Sequence, residues 1–240
     1  MNLAILTPTR GRPHRFKIFN DSVKSLVSDN SLLKMYYYID EDDIKLEEYK
    51  STNIMYPENS FITVGPPDSI SKTWNIIAKK AIDDGADVLI MGNDDLIYKT
   101  KNWDIILKEE IKKFPDDIYC IWFNDDLMRA SHCAFPIISK KWYNCLGYFT
   151  PGVFHFGYND TWIWEIGKKL KRAHFLNSVT AEHRHISRNP ELNDDTYRRV
   201  RQGKQGNLFI KDGIIFKNTE NIRVEHAEKL RKLISENSNL

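Results

Sequence analysis

The sequence predicts an α/β protein: a mostly parallel sheet flanked by helices, followed by a C-terminal helical extension. Three observations predict it. Short apolar runs alternate with segments of helical periodicity. Some of those runs are apolar at every position, as strands buried on both faces are. Each run stops abruptly at proline, glycine or an acidic group, the residues that end strands and open turns.

Leu3-Ala4-Ile5-Leu6 is the first run and stops at Pro8. Phe16, Phe19, Val23 and Leu26 follow at helical spacing. Met35 to Ile39, rich in tyrosine, is a second strand that ends at Asp40-Glu41-Asp42-Asp43. Phe61 to Val64 is a third, ended by Gly65-Pro66-Pro67. Next comes a helix capped by Ser69 or Ser71, with Ile70, Trp74, Ile77 and Ala81 on one face and Gly85 past its end. Val88 to Met91 is a fully apolar strand that runs into Gly92-Asn93-Asp94-Asp95. A helix with Trp103, Ile106, Leu107 and Ile111 inward leads to the strand Ile118 to Phe123. The order strand, helix, strand, strand, helix, strand, helix, strand predicts a parallel sheet covered by helices. A later strand, 177–185, puts His183 and His185 on one side. Beyond residue 190 the chain is more polar. It closes with Val224, Ala227, Leu230, Leu233 and Ile234 at helical spacing. The expected division is therefore a domain over 1–190 and an extension over 191–240 ending in an amphipathic helix.

Composition narrows the functional classes. A chain of 240 residues can bury one full core. The formal net charge of +2 gives no strong pull toward nucleic acid or lipid. No run approaches the roughly 18 apolar residues of a membrane span. The apolar start breaks too early, at Thr7-Pro8-Thr9-Arg10, to read as a signal peptide. Cys120, Cys133 and Cys145 are an odd number without CxxC spacing and read as buried free thiols. A cytoplasmic location is the expectation.

Chemistry gathers at strand ends. Ligands of open α/β sheets bind beyond the carboxyl ends of the strands. Here Thr9-Arg10, Asp40 and Asn93-Asp94-Asp95 all follow strands. Adjacent buried carboxylates repel, and a cation resolves the repulsion. An oxygen-only set suits Mg²⁺ or Mn²⁺, which bind through one or two carboxylates plus substrate phosphates. The same tetrapeptide also suits a plain turn.

Four stretches together resemble the GT-A fold glycosyltransferases, family 2-like in particular. The first is Ile5-Leu6-Thr7-Pro8-Thr9-Arg10-Gly11-Arg12-Pro13, similar to that family's opening strand and nucleotide loop. The second runs from Ser69 through Trp74-Asn75 to Asp95 and is similar to the stretch leading into the DxD motif. The third, Phe154-His155-Phe156-Gly157-Tyr158-Asn159-Asp160-Thr161-Trp162, looks like the Gly-Tyr-Glu-Asp segment that supplies the base. The fourth, Glu182-His183-Arg184-His185, resembles the later metal histidine.

The resemblance spans about residues 1 to 190 and implies a GT-A-like, Rossmann-like domain. It implies a nucleoside diphosphate-sugar donor, Mn²⁺ or Mg²⁺, and a hydroxyl acceptor on a glycan, small molecule or modified nucleobase. It places Asp94, Asp95 and His183 on the metal, with His183 preferred over His185. Thr7, Thr9, Arg10, Asp40, Asn75, Asn93 and Asp94 would hold the donor. Arg12 and Lys72 are weaker candidates. Asp160 would be the general base of an inverting transfer. The motif reads Asn-Asp-Asp rather than Asp-x-Asp, and Asn159 stands where the family has Glu. The base role therefore rests on Asp160 alone, whose rival reading is a helix cap.

Two other functions compete. A nucleotidyltransferase would share the fold, but the first loop has one glycine and no lysine. A nucleic-acid-binding protein is suggested by Lys168, Lys169, Lys171, Arg172 and by Arg198, Arg199, Arg201, Lys204. A sugar transferase acting on DNA bases would combine the two. The sequence leaves the oligomeric state open, and a homo-oligomer is compatible with it.

Overall fold

The computed structural model describes residues 1–53, 59–188, 190, 193–202 and 207–237, with the side chains of 53, 200–202 and 237 excepted. Lys204 of the second basic cluster lies outside the described residues, and so does the side chain of Arg201.

β1 (Leu3–Thr9) is buried at every position but one. Leu3 and Ile5 enter one core while Ala4 and Leu6 enter the other, because strand side chains alternate. β2 (Leu33–Asp40) and β4 (Val88–Met91) flank it in parallel, and β3 (Ser60–Gly65) joins β2 in parallel. β5 (Leu96–Tyr98), β6 (Cys120–Asn124), β7 (Ile137–Ser139) and β8 (Ala173–His183) complete an eight-stranded sheet of order β3-β2-β1-β4-β7-β6-β8-β5.

α1 (Pro13–Leu26) and α4 (Trp103–Ile111) cover one face, with Phe16, Phe19, Trp103 and Leu107 inward. α2 (Leu46–Asn53) adds Tyr49 to that core. The other face takes α3 (Ile70–Asp83), α5 (Lys140–Leu146) and α6 (Asn159–Leu170), which contribute Trp74, Trp142 and Trp162. α7 (Asp195–Gln202), α8 (Leu208–Asn218) and α9 (Glu220–Asn237) follow. The helix cap of α3 is Ser69, which accepts from the Lys72 amide at 3.4 Å. Gly85 adopts φ +87° past the helix end, a conformation glycine enters without strain.

The sheet is mostly parallel, as the sequence pattern predicts, with two short antiparallel strands. β7 runs antiparallel to both β4 and β6, and β5 runs antiparallel to β8. Both strands have three residues, too few to show a period. α2 was also absent from the expected order, and its mostly polar sequence shows why. β8 ends at His183, so His185 sits in the turn beyond it rather than on the strand. The two rings still approach to 5.1 Å.

The C-terminal helix packs Ala227 and Leu230 into the second core, against α5 and α6. Val224 is an exception to the expected apolar stripe and is exposed. Arg223 is buried instead, 2.7 Å from Glu165 and with its guanidinium 3.8 Å from the Phe216 ring centroid. Cys120 and Cys133 are buried free thiols, while Cys145 is half-buried. Among the described residues, no helix is long and apolar enough to cross a membrane.

Candidate active site

The carboxyl ends of β1, β2, β4, β6 and β8 deliver Thr9, Asp40, the Asn93–Asp95 turn, Asp125 and His183 to one edge of the sheet. A cavity of about 870 Å³ opens there. Thr9, Arg10, Arg12, Asp40, Asn93 and Asp94 line one side. The 152–156 segment, with Ser69 and Lys72 of the α3 start, lines another. Thr196, Tyr197 and Arg199 of α7 form a third wall. The segment assigned to the extension therefore shares the cavity with the first strand's loop.

Gly92 is what lets the acidic turn sit so close to β1. A Cβ there would lie 2.3 Å from the Thr7 hydroxyl and 2.7 Å from an Ile5 methyl. No larger residue fits without moving β1.

Asp94 belongs to the β1 side. Its carboxylate accepts from Thr9 Oγ1 at 2.6 Å and from Arg12 Nη1 at 3.1 Å. Burial, aided by the neighbouring Asp95, raises its carboxyl despite Arg12 and Thr9. Arg12 is itself bidentate on Asp194, at 2.7 and 2.8 Å, and lies 5.0 Å from the Tyr197 ring centroid. Burial opposes the Arg12 charge, but Asp94 and Asp194 outweigh it. Arg10 pairs with Asp40 at 2.7 Å and also with Asp42. Tyr49 ties the loop together by meeting Thr9 at 3.0 Å and accepting from the Arg12 amide at 2.6 Å.

Asp95 belongs to the other side. It is buried, and among the described residues neither carboxylate oxygen has a hydrogen-bond partner. Its nearest charged group is His183, Nε2 to Oδ2 3.5 Å. Beyond the ring, His183 Nδ1 lies 3.9 Å from Asp125 Oδ2. Burial penalises the imidazolium, but Asp95 and Asp125 together push His183 up to about 9. Burial likewise works against the Asp95 carboxylate, and His183 holds it below the ordinary value.

Orphaned buried oxygens facing a histidine are a donor set that fits a small divalent cation. Among the described residues no three His, Cys, Asp or Glu side chains converge on one point. Asp95 and His183 would supply two ligands, and the remainder would come from phosphate and water, the usual arrangement for Mg²⁺. Asp94 lines the cavity, while its sequence neighbour Asp95 is buried and is not among the lining residues.

Asp160 lies in the first turn of α6, but it is not the cap. The residue before the helix is Tyr158, at φ +66°, and it makes no capping hydrogen bond. The Asp160 carboxylate is instead 2.8 Å from His132 Nε2, with Thr161 donating at 3.2 Å. The His132 ring packs edge-on against Trp164 at 4.9 Å. Asp160 is not among the residues lining the cavity. Burial first, then Cys120, and to a smaller extent Asp160 and Asp125, push the core thiol of Cys133 up.

Two expected donor contacts have other roles. Thr7 is fully buried against Gly92 and does not reach the cavity. Asn75 clamps the chain before the cavity wall: its Oδ1 accepts from the amides of Phe149 and Thr150, both at 2.9 Å, and its Nδ2 donates to Thr150 O at 2.8 Å. Lys72 is exposed on the rim and pairs with Asp68 at 3.3 Å. In the basic clusters, Arg172 pairs with Asp116, Lys169 with Glu220 and Arg198 with Asp195. Lys168 sits over the Trp164 ring at 3.6 Å. Arg199 turns to the cavity, 3.7 Å from Asp40.

Sequence reasoning passed over Asp125, His132, Asp194 and Asp212. Asp125 was findable, because it follows a buried strand as Asp40 and Asp94 do. Asp212 was not. Its buried carboxylate accepts from the amides of His155, Phe156 and Gly157, holding the cavity wall, yet its sequence neighbourhood reads as a surface turn.

The same architecture occurs in solved glycosyltransferases. The chain aligns with the mannosyltransferase PcManGT from Pyrobaculum calidifontis, in complex with GDP-Man and Mn²⁺, at TM-score 0.58 and 10% identity, over 76% of this chain and 56% of that one. It aligns with residues 1–349 of S. aureus TarS at TM-score 0.59 and 12% identity, over 76% and 60%. The complex of the same TarS segment with UDP-GlcNAc gives 0.56 and 12%, over 77% and 59%. The chain spans less than two thirds of the length of these proteins. At such low identity the likeness establishes the fold, which is of the GT-A glycosyltransferase type. No protein-family model matches the sequence, and no curated protein matches it.

Proposed function

We propose that this chain is a glycosyltransferase that moves a sugar from a nucleoside diphosphate-sugar to a hydroxyl acceptor with the help of Mn²⁺ or Mg²⁺. One observation carries the reading. On a GT-A fold, at the strand end next to an arginine-lined cavity, a buried carboxylate with two unpartnered oxygens faces a histidine. PcManGT is in complex with GDP-Man and Mn²⁺, and TarS with UDP-GlcNAc, which supports that choice of ligands.

The roles follow from position. Asp95 and His183 would hold the cation, which supplies Lewis-acid stabilisation of the departing diphosphate. Asp94 keeps Arg12 charged and fixed beside it. Arg10, Arg12 and Arg199 offer guanidinium forks to phosphate. Asp40, Thr9 and Asn93 offer acceptors and a hydroxyl to the nucleoside. The acceptor oxygen attacks the anomeric carbon, and the bond from that carbon to the diphosphate oxygen breaks with its electron pair on the diphosphate. The hydroxyl proton passes to Asp160, held by His132. In-line attack of this kind inverts the anomeric centre.

Thr196, Tyr197 and Arg199 of α7 are part of the donor cavity in this reading, while α9 supports α6. The test is a thermal-shift panel of nucleoside diphosphate-sugars with and without Mn²⁺. A specific donor at ~100 times its dissociation constant adds about 2.7 kcal/mol of stability. Asp95→Asn is expected to remain folded and to lose the Mn²⁺-dependent part of that shift. Sugar transfer undiminished in EDTA would remove the metal from the reading.

A further inference from the structure

We infer that Asp125 is the positioning residue of the cation site: it fixes the ring and tautomer of His183 so that Nε2 is free to bind. The inference rests on the metal reading above and adds a residue that the acidic motif does not contain.

Asp125 is buried, and its two oxygens are used differently. Oδ1 accepts from the amides of Leu127, Met128 and Arg129, at 3.1, 2.8 and 2.7 Å. Three amides on one oxygen lock the carboxylate's orientation. Among the described residues Oδ2 has no hydrogen-bond partner and faces His183 Nδ1, which is buried and also has none. The two atoms are 3.9 Å apart, longer than a hydrogen bond. Their main chains are already joined, because the His183 amide donates to the Asp125 carbonyl at 2.9 Å. Phe135 packs edge-on against the imidazole at 4.9 Å and limits it to small rotations.

Two facing orphan groups in a buried place are costly unless something completes them. A cation bound at Nε2 places the ring's one remaining proton on Nδ1. Among the described residues, the carboxylate that faces that N–H is Asp125, with Oδ2 3.9 Å from Nδ1. A histidine ligand whose second nitrogen donates to a carboxylate is the usual support of a metal site. Asp125 therefore need not touch the cation, and among the described residues no three such side chains form a cage. The arrangement also explains why Asp95 and Asp125 sit on opposite sides of one ring: one carboxylate faces the binding nitrogen, the other the donating nitrogen.

Asp125→Asn separates positioning from folding. The amide oxygen still accepts from the three backbone amides, so the 125–129 turn is kept. The amide nitrogen then faces Nδ1 as a donor. It favours the proton on Nε2, the wrong tautomer for binding.

The experiment uses the full chain with Mn²⁺ alone, followed by electron paramagnetic resonance of the free ion. Nitrogen-15 NMR of the histidine rings with Mg²⁺ reports the tautomer. Wild type is expected to show Nδ1–H at His183. Asp125→Asn is expected to melt near wild type, weaken Mn²⁺ roughly 10–100-fold and shift the proton to Nε2. Unchanged Mn²⁺ affinity with Nδ1–H still present in Asp125→Asn, while Asp95→Asn and His183→Ala lose the ion, would overturn the role of Asp125 and leave the metal reading standing. Mn²⁺ binding unaffected by all three substitutions would overturn both.

Discussion

The boundary between two halves of this molecule falls at one peptide bond, between Asp94 and Asp95. On the β1 side the strands are parallel, and the loop after β1 turns back over their ends. There Asp94 is neutralised by the protein's own cation, Arg12, and hydrogen-bonded by Thr9. On the β6–β8 side the sheet is mixed, and Asp95 meets a histidine without closing a hydrogen bond. Chemically identical neighbours thus take opposite roles. A carboxylate paired with arginine is already neutralised by the protein, while one left open among the described residues is available to a ligand. The difference lies in what each half of the sheet brings to the turn.

The largest effect that would sharpen this contrast is on the β6–β8 side. Asp160→Asn is expected to lower sugar transfer by ~10²–10⁴-fold, the usual contribution of a general base. Donor and Mn²⁺ affinity should stay near wild type, because Asp160 lines none of the three walls of the donor cavity. Stability should drop by less than about 1 kcal/mol, the range of a first-turn acid's interaction with the helix dipole. Single-turnover kinetics beside donor titration would decide it; a variant that transfers normally returns Asp160 to a purely structural role.

Next in size is a test of whether the last helix belongs to the same body. Leu230 is fully buried in the core beneath α6. Leu230→Ala should cost about 2–5 kcal/mol in urea unfolding, as buried leucines do. A cost under 1 kcal/mol would mark 219–237 as a detachable appendage, which its polar sequence suggests and its packing argues against.

A smaller loss is expected at the seam itself. Gly92→Ala drives a methyl into Thr7 and Ile5 and should cost about 1–3 kcal/mol. Adding Thr7→Ala, which removes the hydroxyl that the new methyl would meet, should recover part of it. No recovery would mean that the strain comes from Ile5 or the backbone.

Smallest of all is Asp194→Asn on the β1 side. Asp194 is partly exposed, and its partner Arg12 retains Asp94. Burial tends to raise the Asp194 carboxyl, but its bonds to Arg12 hold it below the ordinary value. Its contribution is therefore present above the unfolded carboxyl range near pH 4 and fades as pH falls through the lower, folded value. A change of about 1 kcal/mol at neutral pH, shrinking in acid, is the expected denaturation result. A constant difference across that range would take the ionic part out of the latch.

The two halves were also unequally legible. Apart from α2, the alternating strands and helices from Leu3 to Met91 read directly from their periods, and so did the acidic turn, because a fully apolar strand ending in acids has few meanings. β7 and β5 did not, since three residues carry no period. Asn75 looked like a donor contact from its place beside Trp74. Only the packed structure showed its amide closed on the 149–150 backbone.

By itself the sequence determined that the sheet is built on apolar strands with helices on both faces, and that Asp40, Asp94 and Asp95 stand at strand ends. Those are local consequences of period and of where a strand stops. Tertiary structure alone decided which partner each acid receives. Asp95 meets His183 across 88 residues of chain, and Arg12 meets Asp194 across 182. No local pattern can encode those pairings, because charge neutralisation and desolvation depend on which strand ends the sheet order brings together.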